Sequence, residues 1–538
     1  MAINRPPNMV PRGLASLGKT ISQLLIGRDF FCVIFTCPSF LNRGAILNIN
    51  AYPLNYNSLI WRPTMRVYFL LLITLPLFAR PFFEADEFKR HREKLLTMME
   101  DNSVAVMRAG ETVVRNNDID YPYRPASDYF YLTGYDRPES RMLLKKGTRP
   151  SFILFTRLPD AHSGVWNTAP YSMDEMYERF APDTVLPLDQ FEAVFKKNCR
   201  GVSSIYFPFE DKELAADIQK WLQSPWGRYP RTWHDLKPLT AEARLIKSSA
   251  EIAALEKAVD ITVAAHRAAM RNVKPGLFEY QVNALISFVY RNMGSVRDGF
   301  PSIVGSGPNS TILHYEKYDR QMTENDMLVM DIGAEYAMYS ADITRTIPVN
   351  GRFSPEQKDI YTLVLKAQQA GIEAVEPGAR FGDPGKAAAK VLKEGLKKLG
   401  LITDPDKDWQ FRVWMMHGVS HWLGLDTHDA GSYLATDGHG GRLLEPGMVL
   451  TVEPGIYVSA DIFDKIDAIY GKWIPEEERV AFKKSVYPAF EKYKNIGVRI
   501  EDDILVTEDG RRNLSDAAPR GIEAIESLMA LPASFFNP

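Results

Sequence analysis

Residues 327–347 read MLVMDIGAEYAMYSADITRTI, and the fold turns on how that stretch is read. Taken in twos, it is two short strands joined by a turn near Ala334 to Ala337. Val329 and Asp331 share one face of the first strand, and Ser340, Asp342 and Thr344 share one face of the second. The apolar run Met327 to Met330 marks the first strand as interior, so Asp331 enters a core, where a carboxylate is costly unless compensated. Asp342 arrives from the partner strand. Two acids brought together in low dielectric repel, so they share a proton, pair with Arg or Lys, or hold a metal. The rest of the chain argues for metal.

Further residues of the right kind follow. In MVLTVEPG, Val449, Thr451 and Glu453 share a face, so a second apolar strand ends in an acid. In GVRIEDDILV, Arg499, Glu501 and Asp503 share a face, with Arg499 beside Glu501 and suited to orient or neutralise carboxylates. Between these lies HGVSHWLGLDTH, carrying His417, His421 and His428, and His314 precedes the first strand. Any one of these residues is weak evidence among 67 acids. Three apolar strands each carrying an acid inward, with a His-rich loop between, form a joint pattern that predicts a metal site. Four carboxylates and one imidazole are a hard donor set, suited to Mn²⁺, Co²⁺ or Mg²⁺, and that much negative charge suggests two bridged ions. His417 and His421 lack the intervening Glu of H-E-x-x-H, so a zincin is excluded. No G-x-S-x-G elbow supports a serine hydrolase, and Gly305-Ser306-Gly307 reads as a turn rather than a phosphate loop.

The surroundings repeat. Ser248-Ser249-Ala250-Glu251 is a capping box opening a helix that ends at Val273-Lys274-Pro275-Gly276, with a second helix from Phe278 to Tyr290. Ser354-Pro355-Glu356-Gln357 opens another helix, closed by Val375-Glu376-Pro377-Gly378, and a further one runs from Lys386 to Leu399. Each helix pair precedes an apolar strand ending in an acid, which predicts an internal duplication with pseudo-twofold symmetry and the site between the halves. The expected fold class is α/β (α+β), with a mixed α/β domain over 84–239 and the duplicated catalytic domain over 240–538. In the first domain EADEFKRHREKLLTMM is predicted helical, and 103–109, 140–146 and 151–157 are predicted strands. The aromatic run Tyr121 to Tyr135 is expected to be a loop, serving either recognition or structure.

Residues 1–83 are a non-core extension. Met65-Arg66, the uncharged run Val67 to Ala79 and Arg80-Pro81 have the shape of a signal peptide starting at Met65, and the run is too short to span a bilayer as a helix. The alternatives are a stretch upstream of the true start or a poorly ordered tail. The net charge of −3 gives no reason to expect nucleic acid or an anionic membrane as partner, and three cysteines exclude a disulfide framework.

The order Asp331, Asp342, His421, Glu453, Glu501 resembles the metal ligands of the pita-bread metallopeptidases. The phrases MDIGAEYAMYSADITRTIP, HGVSHWLGLDTHD, LTVEPGIY and RIEDDILVT look most like its aminopeptidase P branch, from about Glu84 to Met529. The resemblance implies a pita-bread catalytic domain behind an aminopeptidase P N-terminal domain. It implies two Mn²⁺ ions per chain, with Co, Zn or another divalent metal as substitutes. Asp342 and Glu501 would bridge them, Asp331 would complete one shell, and His421 with Glu453 the other. A hydroxide held between the ions would attack the bond before a proline at peptide position two. Glu453 would shuttle protons, His314 and His428 would steady the oxyanion and leaving nitrogen, and His417, Tyr457 and Arg499 would line the proline side. It implies a homo-oligomer, dimer or tetramer, and a cytoplasmic location, with export as the alternative if translation starts at Met65. Prolidase, restricted to Xaa-Pro dipeptides, is the nearest alternative, and a non-catalytic binding protein on the same scaffold is a second. The connection SADIFDKIDAIYGKWIPEEERVAFKKSVYPAF, between Glu453 and Arg499, is longer than usual for the family and is expected to be an exposed helical excursion.

Overall fold

The computed structural model describes residues 82–535, apart from 161–162, 166–167, 224–227 and 436–439. The signal-like segment lies outside these residues. Within them, 327–348 form one antiparallel hairpin in a single register, from Met327 opposite Pro348 to Tyr336 opposite Tyr339. Its turn is Ala337-Met338, slightly beyond the expected position, and both residues have positive φ, at 49° and 73°. That is the backbone twist a two-residue hairpin turn requires. Asp331 faces Thr344 across the ladder, so Asp342 is its diagonal neighbour on the same face.

The hairpin changes partners halfway. Strand Met327–Ile332 is flanked by Ile303–Ser306, while the tip strand Ala334–Tyr336 pairs with Arg297–Asp298. Gly333 sits at the crossing. A Cβ there would lie 1.9 Å from the Ala341 carbonyl oxygen and 2.7 Å from the Phe300 ring. Only glycine lets the two strands close beside Asp342. Gly305-Ser306 ends a strand, and Gly307 opens a 3₁₀ turn, Gly307–Thr311.

The second half builds a matching ribbon. Val449–Val452 pairs with Asp502–Thr507, and Gly455–Tyr457 with Gly497–Arg499, again in one register that lapses at Glu453-Pro454 and Ile500-Glu501. Both ribbons therefore break their ladders where the acids stand. The two are stitched edge to edge: the Glu501 N–H donates to the Thr344 carbonyl at 3.1 Å, and the Arg499 N–H to Thr346 Oγ1 at 3.1 Å. Arg345, fully buried, donates to the Glu501 carbonyl at 2.7 Å and to Asp502 at 2.6 Å.

Each ribbon follows its helix pair, Ser249–Asn272 with Glu279–Asn292, and Pro355–Glu373 with Asp383–Leu399. Both expected capping boxes form, Ser248 with Glu251 and Ser354 with Gln357. One apolar core joins the halves, from Ile261 and Leu328 through Ile360 and Leu392 to Ile456. The long connection is helical as expected, Ile462–Tyr470 and Glu476–Tyr493, but it is not wholly exposed. Ile466, Phe482, Val486 and Phe490 are buried in that same core.

The N-terminal part is a six-stranded mixed sheet in the order Thr184–Pro187, Phe152–Thr156, Ser140–Lys145, Ser103–Arg108, Ser204–Phe207, Thr232–Asp235. The aromatic run is not a loop throughout. Ser127–Thr133 is a helix, and Tyr129, Phe130 and Tyr131 are core. The tyrosines are tolerated inside because their hydroxyls are satisfied, Tyr129 by Ser140 at 2.9 Å and Tyr131 by the Ala243 carbonyl at 2.9 Å. Helix Ala85–Met98 meets helix Ser249–Asn272 through a buried ion pair. His91 Nε2 lies 3.1 Å from Glu87 and 3.5 Å from Glu251. Burial opposes the imidazolium, but the two glutamates outweigh it and push the His91 pKa up to about 9. Among the described residues no helix is long and apolar enough to cross a membrane.

The Gly333 crossing yields a prediction. Gly333→Ala is expected to destabilise the fold by about 1–3 kcal/mol, the usual range for overpacking, and to displace Asp342. Thermal unfolding with and without divalent cation checks it: both the midpoint and the cation-induced shift should fall, and an unchanged shift contradicts the geometry.

Candidate metal centre

The two broken ribbons and the segment before them meet at a cavity of about 710 Å³. Residues 419–423 run along the free edge of Val449–Val452, with the Thr451 N–H donating to the His421 carbonyl at 3.0 Å and the Glu453 N–H to the Val419 carbonyl at 2.8 Å. That edge pairing sets His421 against the acids. Its Nε2 is 3.4 Å from Asp342, 3.6 Å from Glu453 and 3.9 Å from Glu501. Its Nδ1–H donates to the Trp422 carbonyl at 3.0 Å, which leaves the Nε2 lone pair toward the carboxylates.

Nine of the ten residues singled out from sequence line this cavity: His314, Asp331, Asp342, His417, His421, His428, Glu453, Arg499 and Glu501. Tyr457 does not. It is fully buried behind the wall, accepting from Arg499 Nη1 at 2.8 Å and donating to His417 Nε2 at 2.7 Å. His417 Nδ1–H donates to the Gly418 carbonyl at 2.7 Å and lies 3.4 Å from Glu453. Burial, then the Arg499 charge, hold the His417 pKa down to about 3, so the ring is neutral across the physiological range. His314 and His428 are more exposed, and the His428 ring is centred 4.2 Å from that of His421.

Arg499 takes an acid of the other ribbon rather than Glu501, beside which the sequence put it. It pairs with Asp331 and donates to Thr344 Oγ1 at 3.2 Å, while Thr344 itself donates to Glu501 at 2.6 Å. Asp503, fully buried, accepts from the Asp342 N–H at 3.1 Å. Both Thr344 and Asp503 lie on the acid-bearing faces of their strands, so the period-two pattern held the signal for them. Phe300, Phe381 and Tyr433, the aromatic part of the wall, come from separate loops and carried none.

One guanidinium faces four carboxylates, and the imbalance shows in the acids. Burial first, then the charges of Asp331 and Asp503, raise Asp342 well above the usual carboxylate range. Burial, Asp342 and Glu453 do the same to Glu501. Burial pushes Glu453 up to about 7, against the pull of His421 and Arg499. Asp331 Oδ1 and Asp342 Oδ1 are buried with no hydrogen-bond partner among the described residues. Ligand atoms of Asp342, His421 and Glu501 all lie within 4.8 Å of one another. Unsatisfied oxygens on excess acids, with a lone imidazole pair aimed at them, fit a divalent cation. The other close acid–His group, Glu87, His91 and Glu251, does not. Its four carboxylate oxygens are taken by Ser248 Oγ, Arg90, Tyr339 and the Ser248 N–H.

Comparison with known proteins agrees with this geometry. The profile described as metallopeptidase family M24 matches residues 253–508, and that of the aminopeptidase P N-terminal domain matches 88–206. Xaa-Pro aminopeptidase of Escherichia coli (strain K12) is 35% identical over 456 residues, covering 82% of this chain and 97% of its own length. Xaa-Pro dipeptidase of Homo sapiens is 30% identical over 489 residues, covering 84% of this chain and 94% of its own. The structure of Pseudomonas aeruginosa aminopeptidase PepP superposes with a TM-score of 0.75 at 33% identity, covering 83% of this chain and 98% of that one. With its mixed α/β N-terminal domain and its duplicated pita-bread catalytic domain, the chain belongs to metallopeptidase family M24, in the aminopeptidase P group.

Proposed function

We propose that the protein is an Xaa-Pro aminopeptidase, releasing the first residue of peptides whose second residue is proline. The observation that carries this is the convergence of Asp331, Asp342, Glu453, Glu501 and His421 on one cavity, with Arg499 as the single guanidinium among them. The oxygen-rich set favours two Mn²⁺ ions. Asp342 and Glu501 would bridge them, Asp331 would complete one shell, and His421 with Glu453 the other. When bound, such ions supply Lewis acidity that activates water and the scissile carbonyl near neutral pH.

The side chains do the rest. Glu453 lies at the cavity wall beside His417 and is placed to move a proton from the attacking water to the departing proline nitrogen. His314 and His428 stand at the open side, where a developing oxyanion needs donors. Tyr457 acts through its neighbours: by accepting from Arg499 and donating to His417, it fixes the angle at which both meet the substrate. A proline amide offers no N–H, so selection rests on the shape of this wall rather than on an acceptor. The same reading carries a homo-oligomer, dimer or tetramer, which sedimentation tests.

The similarity to a Xaa-Pro dipeptidase keeps one second reading in view. With Mn²⁺ added, an Xaa-Pro-Xaa tripeptide should be cleaved in preference to the matching Xaa-Pro dipeptide. Cleavage of the dipeptide alone moves the assignment to prolidase, and cleavage of neither overturns both.

Two further outcomes are expected. Asp342→Ala and Glu501→Ala should each lose bound metal and lower activity more than roughly 100-fold, metal content being read by elemental analysis. Normal loading in an inactive variant would refute the bridging role. The second concerns pH. Glu453, at about 7 when folded against 4.5 in the open chain, binds a proton that unfolding releases. Its contribution to the stability of chelator-treated protein is present below about 4.5 and lost as pH rises through about 7. Asp342 and Glu501, also raised, add to this and together outweigh His417, whose lowered pKa acts the other way below about 6.5. The melting midpoint of that protein should therefore fall across this window, and added Mn²⁺ should raise it more at the alkaline end. A rising midpoint would contradict the assignment.

A further inference from the structure

Two grooves open off the cavity. One passes His428 toward the N-terminal sheet and encloses about 770 Å³; Arg108 is paired there with Asp211 and Lys237 with Glu210, while Lys212 donates to the Phe209 carbonyl at 3.1 Å. The other passes His417 and Gly418, which line both it and the cavity, and encloses about 760 Å³. Its wall is the first half of helix Asp383–Leu399. Lys386, Lys390 and Lys393 recur there at steps of four and three, which puts them on one face along the groove.

The charge in this groove is graded. A Cβ on Gly385 would lie 3.7 Å from the Val419 side chain, so the N-terminal end of the helix abuts the segment that carries His417. Lys386 and Lys390 therefore come first on the way out of the cavity. Lys386 touches only the exposed Asp383 outside the groove lining, at 2.8 Å, and Lys390 has no ion-pair partner among the described residues. Asp408 is taken up by Lys393 at 3.0 Å and Arg412 at 3.4 Å. Glu394 stands one turn beyond Lys390 and two beyond Lys386. A chain leaving past His417 meets Lys386, held on its outer side by Asp383, and then Lys390, which has no ion-pair partner among the described residues; Asp406 also lines the groove. The step from Lys386 to Lys390 is about 6 Å along the helix, roughly two residues of extended peptide.

We propose that the substrate residues beyond proline run through this groove, and that Lys386 and Lys390 select peptides with acidic side chains or a free carboxylate there. The proposal rests on the Xaa-Pro aminopeptidase reading and adds a downstream subsite to it. Neither lysine belongs to the metal centre or to the cavity wall.

The test uses Mn²⁺-loaded full-length protein and three peptides: Ala-Pro-Ala, Ala-Pro-Ala-Glu-Glu and Ala-Pro-Ala-Lys-Lys. The acidic pentapeptide should show a kcat/KM about fivefold above the basic one, the worth of one or two exposed charge contacts. The difference should lie in KM and shrink at high ionic strength. In the Lys386→Glu/Lys390→Glu double variant the order of the pentapeptides should invert, with kcat on Ala-Pro-Ala unchanged. An unaltered preference in that variant overturns the proposal, as does inversion by Lys212→Glu in the opposite groove. Failure of the wild type to cleave Ala-Pro-Ala overturns the activity itself, and the subsite with it.

Discussion

Four carboxylates gathered with one arginine at the inner wall of the cavity form the constraint on which this structure depends. In low dielectric such a group is unfavourable by several kcal/mol per uncompensated charge, so every surrounding feature works to place or neutralise it. Arg499 takes Asp331, Thr344 takes one oxygen of Glu501, and Asp503 holds the backbone of Asp342. What these partners leave over is oxygen without a donor, and a divalent cation is the species that such oxygen suits.

The fold reads as the means of producing that imbalance reproducibly. A ribbon with an unbroken ladder would point its acids at a regular pleat, satisfied on neither side. Here each ribbon keeps one register from end to end yet interrupts its ladder at the acids, at Gly333 opposite Asp342 and at Glu453-Pro454 opposite Ile500-Glu501, where a long bond of 3.4 Å from the Ile500 N–H to the Pro454 carbonyl remains. The main chain there is free to bond the other ribbon instead, as the Glu501 N–H does with Thr344. Helix pairs stacked outside both ribbons supply the apolar area that holds them in place.

What could be read from sequence was what local chemistry writes into it. The hairpin, the acid at the end of each apolar strand and both capping boxes follow from period-two patterning and short-range side-chain chemistry. They landed within a residue or two. What could not be read depends on contacts between distant segments. Tyr457 ends its strand like a wall residue, but the strand's packing turns it inward to bridge Arg499 and His417. The aromatic run around Tyr129 reads as a loop because nothing local shows that its hydroxyls find partners as far away as Ala243. His91 was silent for the same reason: its two glutamates include Glu251, from a helix far along the chain. The excursion after Tyr457 carries enough charge to look solvated, yet its Phe482 and Phe490 reach the main core.

The division of the centre between two ribbons also orders its assembly in time. A chain under synthesis displays Asp331 and Asp342 long before Glu501 and Arg499 have been made. During that interval the first ribbon bears two repelling acids with neither the guanidinium that pairs with Asp331 nor the Asp503 carboxylate that holds the Asp342 backbone. Early segments of large proteins fold as they emerge, but this pair has no compact resting place until its counterpart arrives. Ion capture is thereby deferred to a late step of folding, and a chain cut short between the ribbons is left with an acidic, unclosed edge rather than a weaker enzyme.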